Sequence, residues 1–191
     1  MPLVRGRYPV TNPSWTLNGA PSGLFREGAL RRVDGSGNLA ALTTQVLLST
    51  AIHLEAGDVV SNLTFMSGNT AANTPTNWWF ALYDDAATPA LLAQTADQTT
   101  AAWAANTAKT LALSTSKLIS RSGIYYAAVM VKATAVPTLV GLSVQHANVA
   151  GAIVSGQKVL AQTSGSALTD TAPATIATPT TVATVPYVVA T

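Results

Sequence analysis

Asn77-Trp-Trp-Phe-Ala-Leu-Tyr83 places two tryptophans, a phenylalanine and a tyrosine within seven residues of a chain whose aromatic content is 6%. Read as a strand, it points Trp78, Phe80 and Leu82 to one face and Trp79, Ala81 and Tyr83 to the other. Both faces then carry large apolar groups. Such a strand is either central and covered on both sides, or has an outer face that meets another subunit.

Working outward, alternation predicts strands at Val46–Glu55 and Val59–Met66, joined by the tight turn Glu55-Ala-Gly-Asp58 as a hairpin with one half-buried face. Downstream, Leu91–Ala96, Lys109–Leu113, Ile124–Ala133 and Thr138–Gln145 read as strands, with Ala152–Leu160 and Val185–Ala190 as further candidates. Leu63, Phe65, Val129, Leu142 and Val144 are the expected core partners of Trp78, Phe80 and Leu82. Trp79 and Tyr83 find no obvious partners, which marks them as subunit-interface candidates. About eight short strands with frequent turn signals and no capped amphipathic helix predict an all-β antiparallel sandwich of jelly-roll type.

Three segments follow. Residues 1–38 form an extended basic arm, punctuated by Pro2, Pro9, Pro13 and Pro21; residues 39–160 form the sandwich; residues 161–191 form an extended Ala/Thr/Pro tract with a closing strand. Five arginines against two acids give residues 1–35 a net charge of +3. Arg5, Arg7, Arg26, Arg31 and Arg32, with Trp15 and Phe25, are therefore the expected anchoring residues of the arm. Guanidinium groups among prolines and aromatics suit carboxylates on a partner protein better than they suit nucleic acid.

The chain of 191 residues is 48% hydrophobic, yet only 9% of its residues are charged. Ordinary soluble domains are about 25% charged, so much of this surface is expected to be covered by other chains. No apolar run approaches the roughly 18 to 20 residues of a membrane-spanning helix. The N-terminus lacks the apolar core of a signal peptide. The absence of cysteine suits a reducing cytoplasm.

Chemistry is sparse. His53 and His146 have no ligand spacing around them. Asp58, Asp84, Asp85 and Asp97 could gather round a cation, but adjacent acids at a strand end more often form a solvated turn. There is no nucleophile elbow, phosphate loop or dinucleotide fingerprint, and no paired carboxylates of the glycosidase kind. No catalytic residue, metal or cofactor is assigned, and no enzymatic activity is expected. Trp78, Trp79, Trp103 and Tyr83 could make a sugar-stacking platform; filling a core or an interface is the competing role.

Taken in order, Ile52-His-Leu-Glu-Ala-Gly-Asp58 with Val60–Phe65, Asn77–Asp84, Leu91-Leu-Ala-Gln-Thr95 and Gly123-Ile-Tyr-Tyr-Ala-Ala-Val-Met130 form a series. It resembles small β-sandwich structural proteins of tailed bacteriophages, especially those infecting actinobacteria. The resemblance covers roughly residues 45–145 and implies a structural role without site residues. The expected function is a virion protein assembled in the host cytoplasm. It would decorate the capsid as a homo-oligomer such as a trimer, bound to the major capsid protein through its arm. The alternatives are a minor tail protein among other tail proteins, and a glycan-binding attachment module.

Overall fold

A computed structural model describes residues 24–31 and 37–191. At its centre β5 (Asn73–Tyr83) pairs antiparallel with β8 (Gly123–Ala135), setting Trp78 opposite Val131 and Phe80 opposite Val129. On its other edge β5 pairs with the short β6 (Leu91–Gln94), and β8 pairs with β3 (Leu47–Leu54). Two strands of the C-terminal tract, β10 (Ala161–Ser164) and β11 (Thr180–Thr181), extend this sheet to six. β5 starts at Asn73, earlier than the aromatic pattern indicates. Its polar first residues pair with the Ala133–Ala135 end of β8, and a bulge between Pro75 and Asn77 accommodates the proline.

A four-stranded sheet lies against it, in the order β1 (Arg26–Glu27), β13 (Val188–Ala190), β4 (Val59–Met66) and β7 (Ala108–Leu118). A third small sheet joins β2 (Gly37–Ala41), β9 (Thr138–Ser143) and β12 (Thr184–Pro186). Every pairing is antiparallel, and the fold is an all-β sandwich. The pairs β3/β8, β4/β7 and β5/β6 nest inside one another around the Asp84–Ala90 turn. The segment from β3 to β8 is thus one long hairpin folded over on itself.

That nesting corrects the expected hairpin of β3 with β4. The two strands lie in different sheets, and Glu55–Asp58 carries the chain across the sandwich. Leu47 and Ala51 on the second face of β3 are buried, as are Ile52 and Leu54 on the first, so β3 is covered on both faces, while β8 and β10 pair with its two edges. Gly57 turns the corner at φ +97°, a conformation that disfavours side chains, and Asp58 Oδ2 accepts the Glu55 N–H at 2.9 Å. Ala152–Leu160 is likewise no strand. A four-residue helix, α1 (Ala147–Ala150), and a glycine-bounded loop precede β10.

Between the two large sheets Trp78, Phe80 and Leu82 pack with Leu63, Phe65 and Val129. Trp103 stacks on Trp78 at 5.0 Å between ring centroids, and Phe65 meets Phe80 at 4.8 Å. Each such side chain contributes roughly 1.5–3 kcal/mol by leaving water. Leu142 is not a core partner; it is exposed on β9, and Val144 is half-buried beside a separate small cluster of Leu30, Ala161 and Val185.

A second core covers the outer face of the central sheet. Leu47, Ala51, Trp79, Tyr83, Tyr126 and Met130 lie under Leu168, Ala172 and Ile176 of the C-terminal tract. The tract is therefore folded onto its own domain, and β13 is an interior strand between β1 and β4.

Candidate interaction surface

Charged side chains are few, and most of those described hold loops in place. The Arg26 guanidinium donates to both carboxylate oxygens of Asp58 at 2.9 Å and to Glu55 at 3.3 Å, tying β1 to the crossover corner. Asp84 Oδ1 accepts the Ala86 and Ala90 N–H groups, closing the central turn. Asp85 takes Arg121 at 2.7 and 2.8 Å, while Lys158 Nζ donates to the Asp85 and Ala86 carbonyls. Asp97 accepts from the Trp78 N–H at 2.8 Å and from Asn77 Nδ2 at 2.6 Å. The hydrogen bond to Asp85 raises the Arg121 pKa further above its ordinary value.

Of the expected interface residues, Arg5, Arg7, Trp15 and Arg32 lie outside the described residues. Phe25 and Arg31 are half-buried beside the β1 edge. Arg26 is engaged within the chain, because Asp58 and Glu55 present carboxylates where β1 meets the corner, so its expected role as an anchor to a partner is corrected.

Trp79 and Tyr83 require a second correction. Both are fully buried, and neither forms a surface. Trp79 Nε1 donates to the Thr169 carbonyl at 2.7 Å and the Tyr83 hydroxyl to the Pro173 carbonyl at 2.9 Å. Their partners come from a stretch without periodicity, some ninety residues away, so no alternation pattern could reveal them. Burial drives the Tyr83 pKa well above its ordinary 10.0, and that of Tyr126 in the same direction. The same burial removes the sugar platform, since Trp78 and Trp103 have no exposed ring face either.

The other chemical candidates stay apart. Asp58, Asp84, Asp85 and Asp97 take N–H and guanidinium donors in their separate turns, and among the described residues no three His, Asp or Glu side chains converge on a metal position. His53 is half-buried on β3, and His146 is exposed ahead of α1. No helix among the described residues is long and apolar enough to cross a membrane.

The accessible surface is instead hydroxylic and aliphatic. On the outer face of the four-stranded sheet, Thr64 and Thr110 share a hydrogen bond at 2.8 Å, and Ser61 and Ser116 share one at 3.0 Å. Val59 and Leu118, exposed, face each other across β4 and β7. Val149, Ile153 and Val154 project from the loop between β9 and β10. Their prominence could have been seen in the sequence: between Lys132 and Lys158 there is no aspartate, glutamate, lysine or arginine, and glycines at 151 and 156 bracket the Ile153-Val154 pair.

An open trough of about 530 Å³ runs along β6 from Leu91 to Asp97, bordered by Ala112 and Ser114 of β7. Asp97 is its one ionisable residue, and its carboxylate is already taken by the β5 backbone. No family model matches the chain, and a search of curated proteins finds no match.

Proposed function

We propose that this chain is a non-enzymatic structural subunit of a tailed-bacteriophage virion, seated on the capsid shell as a decoration or minor capsid protein. The observation that carries the reading is the surface. Most of the described charges are tied up in corners of the fold, leaving hydroxyls, alanines and exposed branched aliphatics facing outward. A free-standing protein gains solubility from mobile surface charge. A surface of this kind suits permanent cover by neighbouring chains, where uncharged contact carries no charge-desolvation cost. The ordered strand series that resembles phage sandwich proteins supplies the setting.

In this reading the anchoring segment is residues 1–23, with Arg5, Arg7 and Trp15. Residues 24–31 belong to the fold, because β1 pairs with β13, Gly28 bridges to Ile52 and Leu30 is buried. The test is incorporation. Particles assembled with a chain lacking residues 1–23 should carry little or none of it, although the truncated protein folds and is soluble. Normal occupancy would refute the anchoring segment, and absence of the full-length chain from purified particles would refute the virion role itself.

A further inference from the structure

We infer that residues 165–179 form a hinged lid that lifts off the aromatic face of the central sheet as one unit, leaving the strand ladders intact. The topology permits this. Thr163 pairs with Thr180 and Gln162 with Thr181, so the segment leaves and rejoins the sheet at adjacent points, in the manner of an Ω-loop. Ser164 Oγ donates to the Ala177 carbonyl at 2.7 Å and ties the two ends together. No strand lies within the segment, and its one ladder-like contact is the isolated bridge between Thr175 and Ala90. Left-handed backbone is confined to its two ends: Gly165 at φ +73° and Ala167 at φ +54° on one side, Thr178 at φ +44° before Pro179 on the other. A few loop positions of this kind are where a moving segment absorbs its change of direction.

The lid is held more lightly than the face it covers. Of its side chains only Ala172 and Ile176 are buried, with Leu168 half-buried beside them. Underneath, Trp79, Tyr83, Tyr126 and Met130 are fully buried. The rest of the attachment is a set of hydrogen bonds at the margin of the sheet. Trp79 Nε1, the Tyr83 hydroxyl, Gln94 Nε2 and Gln45 Nε2 donate to the carbonyls of Thr169, Pro173, Asp170 and Leu168. In return the N–H groups of Leu168, Ala172 and Ile176 donate to the Gln45 carbonyl, Gln94 Oε1 and the Pro89 carbonyl. Lifting the lid hands these groups to water, so their bonds are exchanged rather than lost. Few buried apolar side chains and hydrogen bonds close to solvent mark a segment that opens below the global transition, whereas β5 and β8, covered on both faces, open only with it. The closed lid hides the indole and phenol that alternation marks for contact with another chain, and the open form presents them.

Native-state hydrogen exchange on the full chain, followed by NMR, reads this directly. The Leu168, Ala172 and Ile176 amides should share one opening constant and exchange at least about a hundredfold faster than the ladder amides of β5 and β8. The Trp79 Nε1–H, whose acceptor is on the lid, should exchange in step with the lid although its ring belongs to the sheet. Lid amides that exchange only with global unfolding, or a Trp79 indole that follows the ladders, would overturn the proposal.

A cross-link supplies the second arm. The chain has no cysteine, and bridge partners such as Ala90 and Thr175 lie within the Cα separation that a disulfide spans. In the Ala90→Cys, Thr175→Cys variant, oxidation should slow lid exchange toward the ladder rate and reduction should restore it. Lid exchange that is equally fast in the oxidised and reduced forms would show residue-by-residue fraying in place of a lid.

Discussion

Trp79 is the residue at which pattern and structure part most sharply. Alternation places it on the second face of β5, but only the folded chain brings Thr169 and Ala172 over it. Trp79→Ala should lower stability to urea by about 3–5 kcal/mol, as loss of a buried indole does; a change below about 0.5 kcal/mol would indicate a solvent-facing ring. Arg26→Ala removes a two-pronged ion pair whose partners are 26% and 10% exposed. Urea unfolding should report a loss of about 1.5–3 kcal/mol.

Tyr83 makes the fold sensitive to alkali. Its folded-state pKa is raised above 10.0, so its contribution is complete at lower pH, where folded and unfolded chains both hold the proton. Above pH 10 the unfolded chain ionises first and stability falls. A melting-temperature series through this range should show the decline, and Tyr83→Phe should make it shallower. An unchanged slope would mean that Tyr83 is not the buried phenol described.

Strand bounds were largely legible, and strand partners were not. Val59–Met66 is β4 as the alternation reads it, and Ile124–Ala133 lies within β8. The Glu55–Asp58 turn, however, has the same local chemistry whether it closes a hairpin or crosses between sheets. That choice depends on the edge partners of β3, which are the distant β8 and β10, and on the cover of both its faces. The C-terminal tract was opaque for a related reason. Its residues 165–179 cover the aromatic face largely through backbone carbonyls accepting from Trp79, Tyr83, Gln45 and Gln94, and carbonyls carry no sequence signal.

Truncation tests these element boundaries. Removing residues 1–23 should leave the melting transition nearly unchanged. Removing 1–31 deletes β1, Leu30 and the Arg26 pair, and should lower it clearly. Ending the chain at residue 183 deletes β12 and β13 and takes away the strand to which both β1 and β4 pair, so soluble folded protein should be lost. A cooperative melt from that variant would show that the closing strand is dispensable.

At the scale of the whole molecule, the placement of charge links fold to function. A surface whose described charges mostly serve its own corners should associate through apolar and hydroxyl contact. Such contact is insensitive to salt, whereas exposed ion pairs are screened within about 10 Å at 0.1 M ionic strength. Self-association should therefore persist in 1 M sodium chloride, and dissociation there would point to charged contacts instead. The most direct measurement is a reconstruction of purified phage particles at a resolution that shows strands. Density for this sandwich is expected on the head lattice, with its N-terminal segment entering the shell. Particles that contain no such density, at head or tail, would contradict it.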